Sequence, residues 1–120
     1  MSTILIADED DLVLSMLSVV LHQALKNCDL LFARNGKEAA EILSSRPVDA
    51  IVTDLQISLM DGYELIALAR NKNSGVVVFV MTRVHTDEVL GRLRSLGVVR
   101  FFKKPFSIAE LAQALENALQ

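Results

Sequence analysis

Asp49-Ala50-Ile51-Val52-Thr53-Asp54 places four uncharged residues between two aspartates. The run is too short for a helix and does not alternate apolar with polar positions, so it reads as a strand buried on both faces that ends at a carboxylate. Comparable short runs occupy residues 4–7 and 30–33 before it and 76–81 and 98–102 after it, five strands in all. Between the first two, Val13, Met16, Leu17, Val20, Leu21 and Ala24 recur at the spacing of one helix face. Ile108, Leu111, Ala112, Leu115 and Leu119 do the same near the end of the sequence. Helix starts are marked by Ser107 with Glu110, by Asn35 with Glu38, and by Thr86 followed by Asp87 and Glu88. Strands alternating with helices require parallel pairing through right-handed crossovers, with helices covering both sheet faces. The expected fold is α/β, a doubly wound (βα)5 unit.

With 120 residues, 52% of them hydrophobic, the chain has the size and the apolar content of one domain. No stretch approaches the roughly 18 unbroken apolar residues of a membrane span, and Met1-Ser2-Thr3 does not open a secretory signal, so a cytoplasmic location is expected. Cys28 is the sole cysteine, which excludes an internal disulfide and a cysteine zinc site and leaves it the part of a small core residue. A net charge of −3 argues against a general nucleic-acid surface. His22 and His85 lack the spacing of a metal site.

In an open parallel sheet, ligands bind beyond the carboxyl ends of the strands. The residues directly after the apolar runs are Asp8, Glu9 and Asp10, then Asp54, then Thr82, and finally Lys103, Lys104 and Pro105. One of Asp10 and Asp11 reads as a helix cap. Asp8, Glu9 and Asp54 gathered at one edge repel one another unless a cation joins them, and oxygen ligands of this type suit Mg2+. Such a metal leaves a carboxylate free as nucleophile, and a lysine and a hydroxyl beside it, here Lys104 and Thr82, complete a phosphoryl-transfer set. Lys103 is the solvated member of its pair.

These elements, Ile6-Ala7-Asp8-Glu9-Asp10, the run to Asp54 with Met60-Asp61-Gly62 beyond it, Thr82, and Phe101-Phe102-Lys103-Lys104-Pro105-Phe106, resemble the receiver domain of two-component response regulators over the whole length. The resemblance implies a flavodoxin-like sheet in the order 2-1-3-4-5 and a single receiver domain over residues 1–120, with no output domain in this chain. It implies a signalling switch rather than an enzyme with a separate substrate. Asp54 would accept a phosphoryl group from a histidine kinase or phosphotransfer protein. Glu9, Asp54 and the backbone carbonyl of Gln56 would ligate Mg2+, with Asp8 acting through water. Lys104 would contact the phosphoryl group, Thr82 would swing towards it, and Phe101 would follow as the switch aromatic. A cis peptide bond is expected before Pro105. The output face would lie on the fourth helix, fifth strand and fifth helix, towards an effector domain or protein, with no direct role for nucleic acid or membrane.

The sequence departs from the family pattern at four places. Glu9 replaces a second aspartate, Ser58 a frequent proline, and Phe101 carries no hydroxyl. Arg83 stands where a small residue usually follows the switch threonine. Shielding the phosphoryl group, adding a positive charge and pointing into solvent all stay open to its side chain. Arg83, Arg92, Arg94, Arg100 and Lys103 concentrate charge near the fourth helix, as a docking face or a solvated one. Gly91 weakens that helix by about 1 kcal/mol relative to alanine, which suits an element with two states. The rival reading is an interaction module with this fold that is never phosphorylated. A flavin-binding protein of similar topology needs a phosphate loop after the first strand, and Asp8-Glu9-Asp10-Asp11 has the wrong sign for that.

Overall fold

The expected order of strands and helices is realised in the computed structural model, which describes residues 1–98 and 100–120. The strands are β1 (Ser2–Ala7), β2 (Cys28–Ala33), β3 (Ala50–Asp54), β4 (Val77–Thr82) and β5 (Arg100–Lys103). The helices are α1 (Asp11–Ala24), α2 (Gly36–Ser45), α3 (Gly62–Lys72), α4 (Asp87–Ser95) and α5 (Ile108–Ala118). All pairings are parallel and the sheet order is β2-β1-β3-β4-β5. The fifth apolar run was expected over residues 98–102; β5 begins at Arg100, and Val99 lies outside the described residues.

Successive residues of each inner strand serve opposite faces, as the pleat requires. Leu5, Ala7, Ile51, Val78 and Val80 pack with Leu43 of α2, Leu65 and Ile66 of α3 and Leu93 of α4. Ile4, Ile6, Val52, Phe79, Met81 and Phe102 pack with Leu17 of α1 and Leu111 and Leu115 of α5. Thus β1, β3 and β4 are buried on both sides, which explains their unbroken apolar runs.

Side-chain caps close every helix start. Asp10 accepts from the backbone N–H groups of Leu12 and Val13, Asn35 from Glu38, Asp61 from Glu64, Thr86 from Val89 and Ser107 from Glu110. Along α1 the buried stripe is Leu14, Leu17 and Leu21, one position round from part of the expected face. Met16 is half exposed, because the apolar residues of α1 cover more than one stripe and the sheet takes only one. The far end of the sheet is tied by Arg70 of α3. Its guanidinium donates to the carbonyls of Leu96, at 2.7 Å, Val76, at 3.1 Å, and Gly97, the glycine at φ 77° that ends α4.

Gly62 lets α3 start against the end of β3, its N–H donating to the Leu55 carbonyl at 3.1 Å. A β-carbon there would stand 2.6 Å from Leu55 Cα and 2.8 Å from the Asp54 carbonyl oxygen, both backbone atoms. Gly62→Ala is therefore expected to cost about 1–3 kcal/mol in urea unfolding. Burial pushes the Cys28 thiol above its ordinary value. Alkylation of Cys28 by iodoacetamide at neutral pH should run slower than that of a free thiol and keep accelerating above the ordinary thiol pKa of about 8.5.

Candidate functional site

Because β1, β3, β4 and β5 run parallel and in register, Asp8, Asp54, Thr82 and Lys104 emerge at one edge. The loop after β5 is held there by the Lys104 backbone N–H, which donates to the Thr82 carbonyl at 2.9 Å. From that anchor the Lys104 ammonium donates to Asp8 Oδ2 at 2.6 Å and to Asp54 Oδ2 at 2.7 Å. The other oxygens are also engaged. Asp8 Oδ1 accepts from the Asp10 N–H at 2.9 Å and Asp54 Oδ1 from the Gln56 N–H at 3.0 Å. The Lys104–Pro105 peptide bond is cis.

Asp8 is only 2% exposed, so its charge needs a partner. Burial alone would lower the pKa of Lys104, but hydrogen bonds and charge from Asp54 and Asp8 outweigh it and hold the ammonium above its ordinary value. One ammonium against two carboxylates leaves negative charge at the edge. Two carboxylates sharing one ammonium offer oxygen donors of the type that suits a hard divalent ion completed by water.

Glu9 is exposed and stands outside the Lys104 bridge; among the described residues no three acidic, histidine or cysteine side chains cluster closely enough to hold a metal. Gln56 is held by its N–H two residues beyond Asp54. Thr82 is fully buried, and its hydroxyl bonds to its own turn, accepting from the Val84 N–H at 3.0 Å and lying 3.3 Å from the Val84 carbonyl. Phe101 is half buried, with the Arg94 guanidinium 5.7 Å from its ring centroid. Arg92 lies 3.8 Å over Tyr63, while Lys103 is exposed. In the loop after Asp54, Ser58 accepts from the Gly36 N–H at 2.8 Å, and Leu59, at φ 70°, is exposed.

Beside the bridge lies a cavity of about 520 Å3, walled by Val13, Met16, Phe106 and Ile108 and carrying Arg83 and Lys104. Sequence reading placed Val13 and Met16 on the inward face of α1; Val13 does pack against the edge of the core, but Met16 stands half exposed, and the wall that the two help to form was not foreseen. The available signal was the surplus of apolar residues on α1, Leu12, Met16 and Val19, beyond one buried stripe.

This sheet order, with an acid–lysine bridge beyond the carboxyl ends of the strands, defines a receiver-type α/β domain. The response regulator receiver domain model matches residues 4–116, and the chain belongs to that family. Members of this family act as phosphoacceptors in two-component systems, partner histidine kinases or phosphotransfer proteins and effector domains, and generally use Mg2+. The chain is 30% identical over 118 residues to a cyclic di-GMP phosphodiesterase of Thermotoga maritima, covering 98% of this chain and 31% of that protein. It is 32% identical over 118 residues to the transcriptional regulatory protein QseB of Haemophilus influenzae, covering 98% and 52%. The chain thus spans about a third and about half of these curated relatives. The receiver domain of Francisella response regulator 1452 superposes with a TM-score of 0.85 at 25% identity, covering 98% of this chain and 96% of that one.

Replacing Lys104 removes the only cation bonded to Asp8 and Asp54 among the described residues. Lys104→Met should lose about 1–3 kcal/mol in Mg2+-free urea unfolding at neutral pH, because two carboxylates lose a charged donor. Part of that loss should return when millimolar Mg2+ is added.

Proposed function

We propose that Asp54 is the phosphoacceptor of this chain and that residues 1–120 work as one receiver domain. The observation that carries this reading is the Lys104 ammonium shared by Asp8 and Asp54 at the carboxyl edge of the sheet. A carboxylate at a strand end, beside a lysine placed to neutralise phosphoryl oxygens, has what phosphoryl transfer mainly requires, position and countercharge. Asp8, Glu9, Asp54 and the Gln56 carbonyl would hold Mg2+, Glu9 by turning in from its exposed position. The ion would supply positive charge for the oxygens of the transferring group.

Asp54 attacks the phosphorus of a phosphohistidine on a sensor kinase or phosphotransfer protein; as the new phosphorus–oxygen bond forms the phosphorus–nitrogen bond breaks, and the imidazole, taking up a proton, leaves as a neutral base. Lys104 then exchanges one carboxylate contact for a phosphoryl oxygen. The new charge offers the Thr82 hydroxyl a stronger acceptor than the Val84 carbonyl, and its movement inward opens room for Phe101. The rearranged α4, β5 and α5 face is read by an effector domain or protein, in the cytoplasm, without direct contact to nucleic acid or membrane. The domain catalyses only its own phosphorylation and dephosphorylation.

Intact-protein mass after incubation with acetyl phosphate and Mg2+ should show one added phosphoryl group, absent from Asp54→Asn and from an EDTA-treated sample. No gain together with no Mg2+ binding would instead favour the unphosphorylated interaction module. Thr82→Ala should still be phosphorylated but should lose the phosphorylation-dependent change in amide NMR shifts at Phe101 and along α4. A phosphorylation-dependent shift change in that variant as large as in wild type would sink the coupling scheme.

A further inference from the structure

Arg83 sits at the corner of a turn fixed on both sides. The Thr82 hydroxyl before it is bonded to the Val84 backbone after it, at 3.0 Å to the N–H and 3.3 Å to the carbonyl. Arg83 is exposed and lines the same cavity as Lys104 and the apolar side chains from α1 and the start of α5. The two cations of this cavity differ in one respect. Lys104 is engaged by Asp8 and Asp54, whereas Arg83 forms no ion pair among the described residues. A guanidinium over an apolar cavity, next to a lysine that reaches the nucleophile, calls for an anion with a small apolar body.

We propose that Arg83 is a specificity-determining residue that receives the departing carboxylate of small acyl-phosphate donors, an inference resting on Asp54 as phosphoacceptor. In-line transfer places the leaving group on the side of phosphorus away from Asp54. With an acyl phosphate, the bond from the Asp54 oxygen to phosphorus forms as the bond from phosphorus to the acyl oxygen breaks. The electron pair stays on that oxygen, so a carboxylate departs and no proton is needed. A carboxylate matches the planar fork of a guanidinium, and its alkyl group faces Val13 and Met16. A donor with a phosphorus–nitrogen bond behaves differently. Its nitrogen takes up a proton and leaves as a neutral base, which gives Arg83 nothing to hold.

The discriminating measurement is the rate of Asp54 labelling, by intact mass, with acetyl phosphate and with phosphoramidate, both with Mg2+. Wild type, Arg83→Gln and Arg83→Lys would be compared. The ratio of kcat/KM for acetyl phosphate to that for phosphoramidate should fall about tenfold in Arg83→Gln, the worth of one charge-assisted hydrogen bond. Arg83→Lys should restore much of it, and added salt should lower the ratio in wild type but not in Arg83→Gln. An equal fall with both donors would assign Arg83 a structural role and overturn the proposal, as would an unchanged ratio. If phosphoramidate labels Asp54 in all three proteins while the ratio stays constant, the phosphoacceptor reading survives and only the role of Arg83 falls. If neither donor labels wild type, both readings fall together.

Discussion

One ammonium held between two carboxylates is the contact on which the site depends. Lys104 is separated from Asp54 by 50 residues and from Asp8 by 96, so only the finished sheet brings them together. The strand order does this by placing β1 and β3 side by side at the centre, with β4 and β5 beyond. The backbone bond from Lys104 to Thr82 then sets how far the side chain must reach. The arrangement leaves an uncompensated negative charge at a nearly buried place. That is unfavourable for the resting protein, and it is also what gives the site its demand for a further cation.

The elements expected to respond are loosely tied by comparison with the core. The Thr82 hydroxyl is satisfied within its own turn, by bonds whose net worth is on the order of 1 kcal/mol each, so redirecting it is a modest exchange. In α4 only Leu93 is buried, and the space around Gly91 is open. Its glycine therefore has no packing reason, and the helix bears the propensity cost without a steric return. Phe101, half buried under Arg94, is positioned between that helix and the core.

Much of this could be read in the sequence because the chemistry coincides with the ends of apolar runs. Asp8, Asp54 and Thr82 each follow such a run directly and Lys104 one residue later, and the strand-end rule for parallel sheets converts that spacing into a shared edge. Asn35, Thr86 and Ser107 were legible as caps for the same local reason. Other features required tertiary contacts. Which stripe of α1 turns inward depends on how the helix lies on the sheet, so Leu14 replaced Met16 in the core and a cavity wall went unseen. The outward position of Glu9 and the engagement of the Thr82 hydroxyl with Val84 are conformational facts with no sequence signature. Arg83 was visible as an unusual residue, but its three open courses were narrowed only by the cavity it lines.

The Arg70 clamp has a mechanical consequence for α4. Leu96 and Gly97, at the carboxyl end of that helix, are fastened to α3 by a planar guanidinium that also grips Val76. The opposite end begins at Thr86, four residues beyond Thr82, where no comparable clamp is seen among the described residues. The helix is therefore built as a lever with its fulcrum at Gly97. Nine residues at about 1.5 Å each give an arm of roughly 13 Å, so a tilt of a few degrees moves the Thr86 end by about an ångström while the fulcrum stays still.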